Sequence, residues 1–163
     1  MADSILSSAE QTFLRELHAR GVRYLVVGMS AALIQGARGA TEDIDLWFES
    51  LSDPRIGEAV RAAGGIWISG SFGTSPPRIG GDLLGQRLDV VTHMDGLDDF
   101  AREYEGATFE VIDDVRLPLL PLRRILHSKK TAGRPKDLLA AHAIEDALSL
   151  LDAGDDDAAP PKT

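Results

Sequence analysis

Two aspartates one residue apart, Asp43 and Asp45, interrupt the apolar run Ile44, Leu46, Trp47 and Phe48, and a small-residue turn precedes them at Gly28. On a strand, positions i and i+2 point to the same side. A strand over 43–48 would carry both carboxylates on one face at its mouth and bury Ile44 and Leu46 on the other. Adjacent carboxylates repel one another and lose solvation, a cost that a cation between them relieves. Mg²⁺ suits such a pair, because it takes one or two carboxylates together with water and substrate phosphate oxygens. Asp89 interrupts the run Arg87-Leu88-Asp89-Val90-Val91 in the same way and is the expected third member. These residues imply metal-assisted phosphate chemistry. The competing reading makes the pair a solvated edge-strand face and Asp89 a turn residue after Gly85.

Composition narrows the classes. A chain of 163 residues that is 44 % hydrophobic has the size and apolar content of one domain with its own core. The absence of cysteine excludes disulfides and thiolate metal sites. The four histidines lack a short ligand-like spacing, so zinc is not expected. His18, His93 and His127 read as ordinary residues, with His93 alone, four residues after Asp89, placed to line an acceptor side. No apolar run approaches the roughly 20 residues of a membrane span, and Met-Ala-Asp-Ser-Ile-Leu lacks a basic region followed by an apolar stretch. A cytoplasmic protein with no membrane partner is expected.

A net charge of -9 argues against nucleic acid as a general partner, as do only two Tyr, two Trp and five Phe for base stacking. The average hides a local reversal. Arg116, Arg123, Arg124, Lys129, Lys130, Arg134 and Lys136 place seven positive side chains in 21 residues. Such a strip opposite an acidic metal site would serve a triphosphate; its alternative is a solvated helical face.

The elements that must position these groups follow from periodicity and punctuation. A helix is expected over 8–20, capped by Ser7 or Ser8, ended by Gly21 and carrying Phe13, Leu14, Leu17 and His18 at helical spacing. Residues 23–27 read as a buried strand that Gly28 breaks, followed by a short helix over 30–35. Residues 37–42 form a loop feeding the strand 43–48. Pro54 opens a helix reaching Ala63, residues 66–68 form a third strand, and 70–85 a loop or irregular hairpin. Residues 87–91 return as a strand, with further extended pieces at 108–112 and 115–117. A helix over 121–130 precedes the turn Thr131-Ala132-Gly133. A stronger helix runs from Pro135 to about Leu151 with the stripe Leu138, Ala141, Ile144, Leu148 and Leu151. One α+β domain over 1–151 is expected, with a helical C-terminal segment at 121–151 and a disordered acidic tail at 152–163.

The combination of motifs resembles the polymerase-β-like minimal nucleotidyltransferases. Their pattern is an apolar strand, Gly followed by Gly or Ser, about ten residues, Asp-apolar-Asp-apolar, and a third Asp on a later strand. Val26-Val27-Gly28-Met29-Ser30, Asp43-Ile44-Asp45-Leu46 and Leu88-Asp89-Val90 supply the three parts, with Thr41 two residues before the pair. The segment from Lys129 to Asp137 is similar to that of toxin/antitoxin-associated and uncharacterised bacterial members. The resemblance spans residues 10–150.

The resemblance implies a twisted mixed sheet with flanking helices. It also implies transfer of NMP from an NTP to a hydroxyl of tRNA, a protein or a small molecule, with release of pyrophosphate. Asp43, Asp45 and Asp89 would be catalytic and would hold Mg²⁺ or Mn²⁺. Gly28, Met29, Ser30, Thr41, Lys129 and Arg134 would bind the nucleotide, with Asp137 orienting Arg134 or Lys129. Two departures stand out: Met29 occupies a position usually held by Gly or Ser, and Gly39 one often held by Arg. They leave open a second function, a catalytically degenerate antitoxin or regulatory module with a cognate toxin or antitoxin partner.

Overall fold

The computed structural model describes residues 4–71 and 75–157. In chain order the elements are α1 (Ser8–Ala19), β1 (Tyr24–Val27), α2 (Gly28–Ile34), β2 (Ile44–Phe48), α3 (Pro54–Ala62), β3 (Ile66–Ile68), β4 (Arg78–Gly80), β5 (Leu88–Val91), α4 (Phe100–Glu105), β6 (Thr108–Ile112), β7 (Val115–Leu119), α5 (Leu122–Ala132) and α6 (Pro135–Asp157). Five strands form one mixed sheet in the order β5-β2-β1-β7-β6, and β3 with β4 make a separate two-stranded ribbon. β1 runs antiparallel to β2 and parallel to β7; β2 runs parallel to β5. The fold is the mixed α+β architecture expected.

β1 lies at the centre of the sheet and all four of its residues are buried, which is why Tyr-Leu-Val-Val carries no polar alternation. α1 lays Phe13, Leu14 and Leu17 into the core, whereas His18, which shares their spacing, stays exposed. Ser7 caps this helix through a capping box with Glu10. Glu10 is itself buried and also accepts from Arg87 Nε at 3.0 Å. That ion pair fastens the start of β5 to α1, and so helps place Asp89 two residues later.

Several boundaries differ from expectation for local reasons. α4 gives too few turns for periodicity to show; Asp99 caps it and Gly106 follows its last residue. The expected 70–85 loop contains β4, and residues 72–74 lie outside the described residues. β7 runs on through Pro118, paired with Phe109, to Leu119, which pairs with Val26. On α6, Ala141 and Ile144 are buried while Leu138 and Leu151 are exposed. The helix continues past Leu151 to Asp157, and the remainder of the tail, 158–163, lies outside the described residues.

Candidate active site

β1 ends in extended backbone at Val27 and the chain turns at once into α2. Gly28 makes this turn with φ +64°, where a side chain is strained. A β-carbon at position 28 would also lie 2.6 Å from Oδ2 of Asp45 and would push that carboxylate aside. The Asp45 carboxylate therefore rests against bare backbone, placed there by the antiparallel pairing of Val27 with Asp45. Ser30 locks the arrangement from below. Its buried hydroxyl donates to the Val27 carbonyl at 2.9 Å and accepts the Asp45 N–H at 3.1 Å. The one hydroxyl hydrogen is thus committed inside the protein, and Ser30 is a clasp between turn and strand rather than a donor to phosphate. Nor does it cap α2, which has no side-chain cap.

Asp89 faces Asp45 directly across the parallel ladder of β2 and β5. Asp43 falls one residue before β2 begins, so strand alternation does not orient it as expected. Thr41 holds it instead: the Thr41 hydroxyl donates to the Asp43 carbonyl and accepts its N–H, both at 3.3 Å. Asp43 and Thr41 border a mainly apolar cavity of about 170 Å³ that Asp45 does not line. Asp89 and Asp43 nevertheless act on Asp45. Burial, then the charges of Asp89 and Asp43, push the Asp45 carboxyl up to about 6, with Lys129 pulling the other way. Among the described residues, no group of three or more His, Cys, Asp or Glu side chains is gathered as metal ligands.

The cationic wall comes from the α5–α6 corner. Lys129 lies in the last turn of α5, Gly133 ends that helix in left-handed backbone, and Pro135 opens α6. Asp137, only 1 % exposed, sits between the two cations: Lys129 Nζ is 3.3 Å from its Oδ1 and Arg134 Nε 2.6 Å from its Oδ2. Burial opposes the charge on Asp137, but the hydrogen bond from Arg134 and the charge of Lys129 outweigh it and hold the carboxyl below its ordinary value. Asp137 thus pairs with both cations at once.

A cavity of about 190 Å³ brings these parts together, lined by Gly28 and Asp45 on one side and by Lys129, Arg134 and Asp137 on the other. His93 and Asp95, whose side chains meet at 3.1 Å, line it as well. Asp95 carries no sequence signal beyond its position just past β5, two residues after His93. Met29 does not line this cavity. Its Cε lies 3.3 Å from where a β-carbon on Gly39 would be, so the thioether packs toward the 36–41 loop. The rest of the basic strip is largely spent elsewhere: Arg123 pairs with Asp152, Arg124 with Glu103 and Lys130 with Glu145, while Arg116 lies over Phe109.

The chain matches no family model, and no curated protein matches it. Solved structures share its fold. The solution structure of the antibiotic-resistance factor ANT(2'')-Ia is 14 % identical, covering 88 % of this chain and 83 % of that one at a TM-score of 0.57. A crystal structure of ANT(2'')-Ia in complex with adenylyl-2''-tobramycin is 17 % identical over 91 % of this chain and 95 % of that one, with a TM-score of 0.50. An antigenic nucleotidyltransferase-like protein from Paracoccidioides brasiliensis is 19 % identical, covering 89 % and 78 % at a TM-score of 0.53. The architecture is the nucleotidyltransferase fold.

Proposed function

We propose that this protein is a metal-dependent nucleotidyltransferase that moves NMP from an NTP to a hydroxyl acceptor and releases pyrophosphate. One observation carries the reading: a cavity with Asp45 against the Gly28 turn on one side and Lys129 and Arg134 on the other, on this fold. The fold alone does not specify a reaction.

Asp45 and Asp89, with Asp43 beside them, would hold Mg²⁺ or Mn²⁺. The fit is electrostatic, since burial and then the charges of Asp89 and Asp43 raise the Asp45 carboxyl to about 6, and a hard cation would relieve both. When bound, the ion supplies Lewis-acid neutralisation of the phosphates and a lowered pKa for the acceptor hydroxyl. The protein's own groups do the rest. The first N–H groups of α2, at Gly28 and Met29, have no acceptor within the helix and would be the backbone donors left for phosphate at this turn. Ser30 keeps the turn and Asp45 in register, and Thr41 does the same for Asp43. Lys129 and Arg134 neutralise the triphosphate and the departing pyrophosphate. Asp89, exposed on the edge strand, takes the acceptor proton as the acceptor oxygen bonds to the α-phosphorus and the bond to the β-phosphate oxygen breaks. The acceptor is a hydroxyl of tRNA, protein or a small molecule.

The test is incubation of the chain with each α-labelled NTP, Mg²⁺ and cell extract, then sorting of label into RNA, protein and small-molecule fractions. Label in one fraction that disappears with Asp45→Asn is the expected result; none in any fraction with any nucleotide overturns it. Met29, where a small residue would open the phosphate turn, motivates a second reading, a nucleotide-binding regulatory or antitoxin module without transfer activity. Mg²⁺-dependent nucleotide binding with no labelled product distinguishes that outcome.

A further inference from the structure

Val91, the last residue of β5, pairs with Trp47, two residues along β2 from Asp45. The chain then folds back, because His93 and Asp95 line the cavity that Gly28 and Asp45 border. Two features fix this returning loop. Gly96, with φ +71°, packs so closely on α5 that a β-carbon there would lie 2.5 Å from the Thr131 hydroxyl oxygen, two residues past Lys129. Met94 and Leu97, on either side of Asp95 and Gly96, pack against the core.

Asp95 is thereby held on the cationic side of the cavity. Asp137 first, and Asp95 after it, raise the Arg134 guanidinium above its ordinary value, so Asp95 lies within electrostatic reach of Arg134. A lone carboxylate here would repel the phosphates that Lys129 and Arg134 attract. Asp95 has a partner: His93 Nε2 lies 3.1 Å from its Oδ1. With the carboxylate as acceptor, Nε2 carries the hydrogen and Nδ1 is the ring nitrogen left for a ligand. When the imidazole is charged, the pair is neutral overall and offers phosphate an N–H donor. His93 is also open to solvent, so a proton it gives up is replaced from water.

We propose that His93 is the general acid of the transfer reaction, protonating the departing pyrophosphate, with Asp95 as its positioning residue. This role rests on the transferase reading above. The cavity decides the side on which His93 acts: it holds Lys129 and Arg134, whereas Asp89, which takes the acceptor proton, does not line it. As the acceptor oxygen bonds to the α-phosphorus, the bond to the bridging oxygen breaks and its electron pair stays on that oxygen. The bridging oxygen takes the proton from Nδ1, leaving a neutral imidazole. The other charged groups facing the cavity are Asp45 from β2 and Lys129, Arg134 and Asp137 from the α5–α6 corner.

Two measurements on the full chain test this. Calorimetric titration with inorganic pyrophosphate and Mg²⁺ reports the contact without transfer. Wild type should bind at least about tenfold more tightly than His93→Gln at pH 5.5, the scale of one charge-assisted hydrogen bond, and about equally at pH 8, where histidines are neutral. Groups common to both proteins cancel in that ratio. Transfer from NTPs with CF₂ or CH₂ in place of the β,γ-bridging oxygen reports the proton. Wild type should use the two at similar rates, while His93→Gln should lag at least about tenfold further with CH₂, the poorer leaving group. Asp95→Asn should bind pyrophosphate at least as tightly as wild type, having lost a negative charge, yet transfer more slowly, a split that structural damage would not produce. The same leaving-group dependence in wild type and His93→Gln, or an affinity ratio that does not change with pH, overturns the proposal. No transfer by wild type from any NTP overturns the transferase reading and the general acid with it, and the pyrophosphate ratio then still decides whether His93 touches phosphate.

Discussion

Gly28 and Asp45 compete for the same space: a β-carbon on residue 28 would come within 2.6 Å of the Asp45 carboxylate, so the glycine is what allows that carboxylate to occupy the head of β2. Gly28→Ala should therefore do two kinds of damage. The left-handed backbone costs about 1–2 kcal/mol with any β-carbon, and the added atom displaces Asp45. Gly36→Ala is the matched control, because Gly36 also has positive φ but nothing within 4 Å of its β-carbon site. Both variants should lose thermal stability, and only Gly28→Ala should lose transfer. Equal transfer by the two would mean the Asp45 position is not needed.

Asp45→Asn should stabilise the metal-free fold. Its carboxyl has an ordinary value of 3.8 and is raised to about 6 in the folded chain, by burial first and then by Asp89 and Asp43. Between those values the folded chain holds more protons than the unfolded one, so stability falls as pH rises through the window, and the penalty is complete above it. Two pH units correspond to about 3 kcal/mol; solvent screening of this partly exposed group lowers the expected gain to about 1–2 kcal/mol. Denaturant melts at pH 7.5 should show the gain, and it should vanish near pH 4. A gain that is the same at both values would rule out ionisation as its cause.

Addition of Mg²⁺ should reverse the order of the two proteins. An ion that binds only the folded state at a hundred times its Kd adds about 2.7 kcal/mol, more than the substitution gains. The wild type should gain this in a thermal melt, and Asp45→Asn should gain little. Equal stabilisation of both would place the ion elsewhere.

Asp137 holds the cationic wall, so Asp137→Asn should loosen Lys129 and Arg134 together. Removing one member of a buried pair costs about 3–5 kcal/mol when all members are buried. Here Arg134 is 60 % exposed and can rehydrate, so a loss of about 2 kcal/mol is expected, with a higher KM for the nucleotide. Lys130→Gln, which breaks only an exposed pair with Glu145, should change neither by more than about 0.5 kcal/mol. An unchanged KM in Asp137→Asn would show that the two cations do not touch substrate.

Much of this arrangement is legible in the sequence, for stated physical reasons. β1, β2 and β5 are short apolar runs with glycine punctuation, and a carboxylate inside such a run is costly enough to attract attention. What a single sequence does not contain is register. That Asp45 faces Asp89, and that the residues after β5 come over α5 so that His93 and Asp95 share a cavity with Lys129, depend on pairings between distant segments. Asp43 shows the same limit at one-residue scale: alternation predicts a shared face with Asp45, but β2 starts at Ile44 and the Thr41 turn decides instead. The position of Ser30 beside the turn is legible in the sequence, while its bond to the Val27 carbonyl is a property of the folded chain.

The final prediction concerns Met29, the departure that most threatens nucleotide binding. Its thioether packs toward Gly39 and the partly buried core rather than into the cavity beside Gly28. A side chain in that position leaves the Gly28 and Met29 N–H groups accessible, and its own contribution is to brace the 36–41 loop that leads to Thr41 and Asp43. Met29→Ser should therefore lower stability by about 1–2 kcal/mol, less than a fully buried methionine because the site is partly open. It should leave the affinity for a non-hydrolysable NTP with Mg²⁺ unchanged. Calorimetric titration of both proteins separates the possibilities. An affinity that rises tenfold in Met29→Ser, about 1.4 kcal/mol, would show the thioether crowding the phosphates and would favour the non-catalytic reading of the fold.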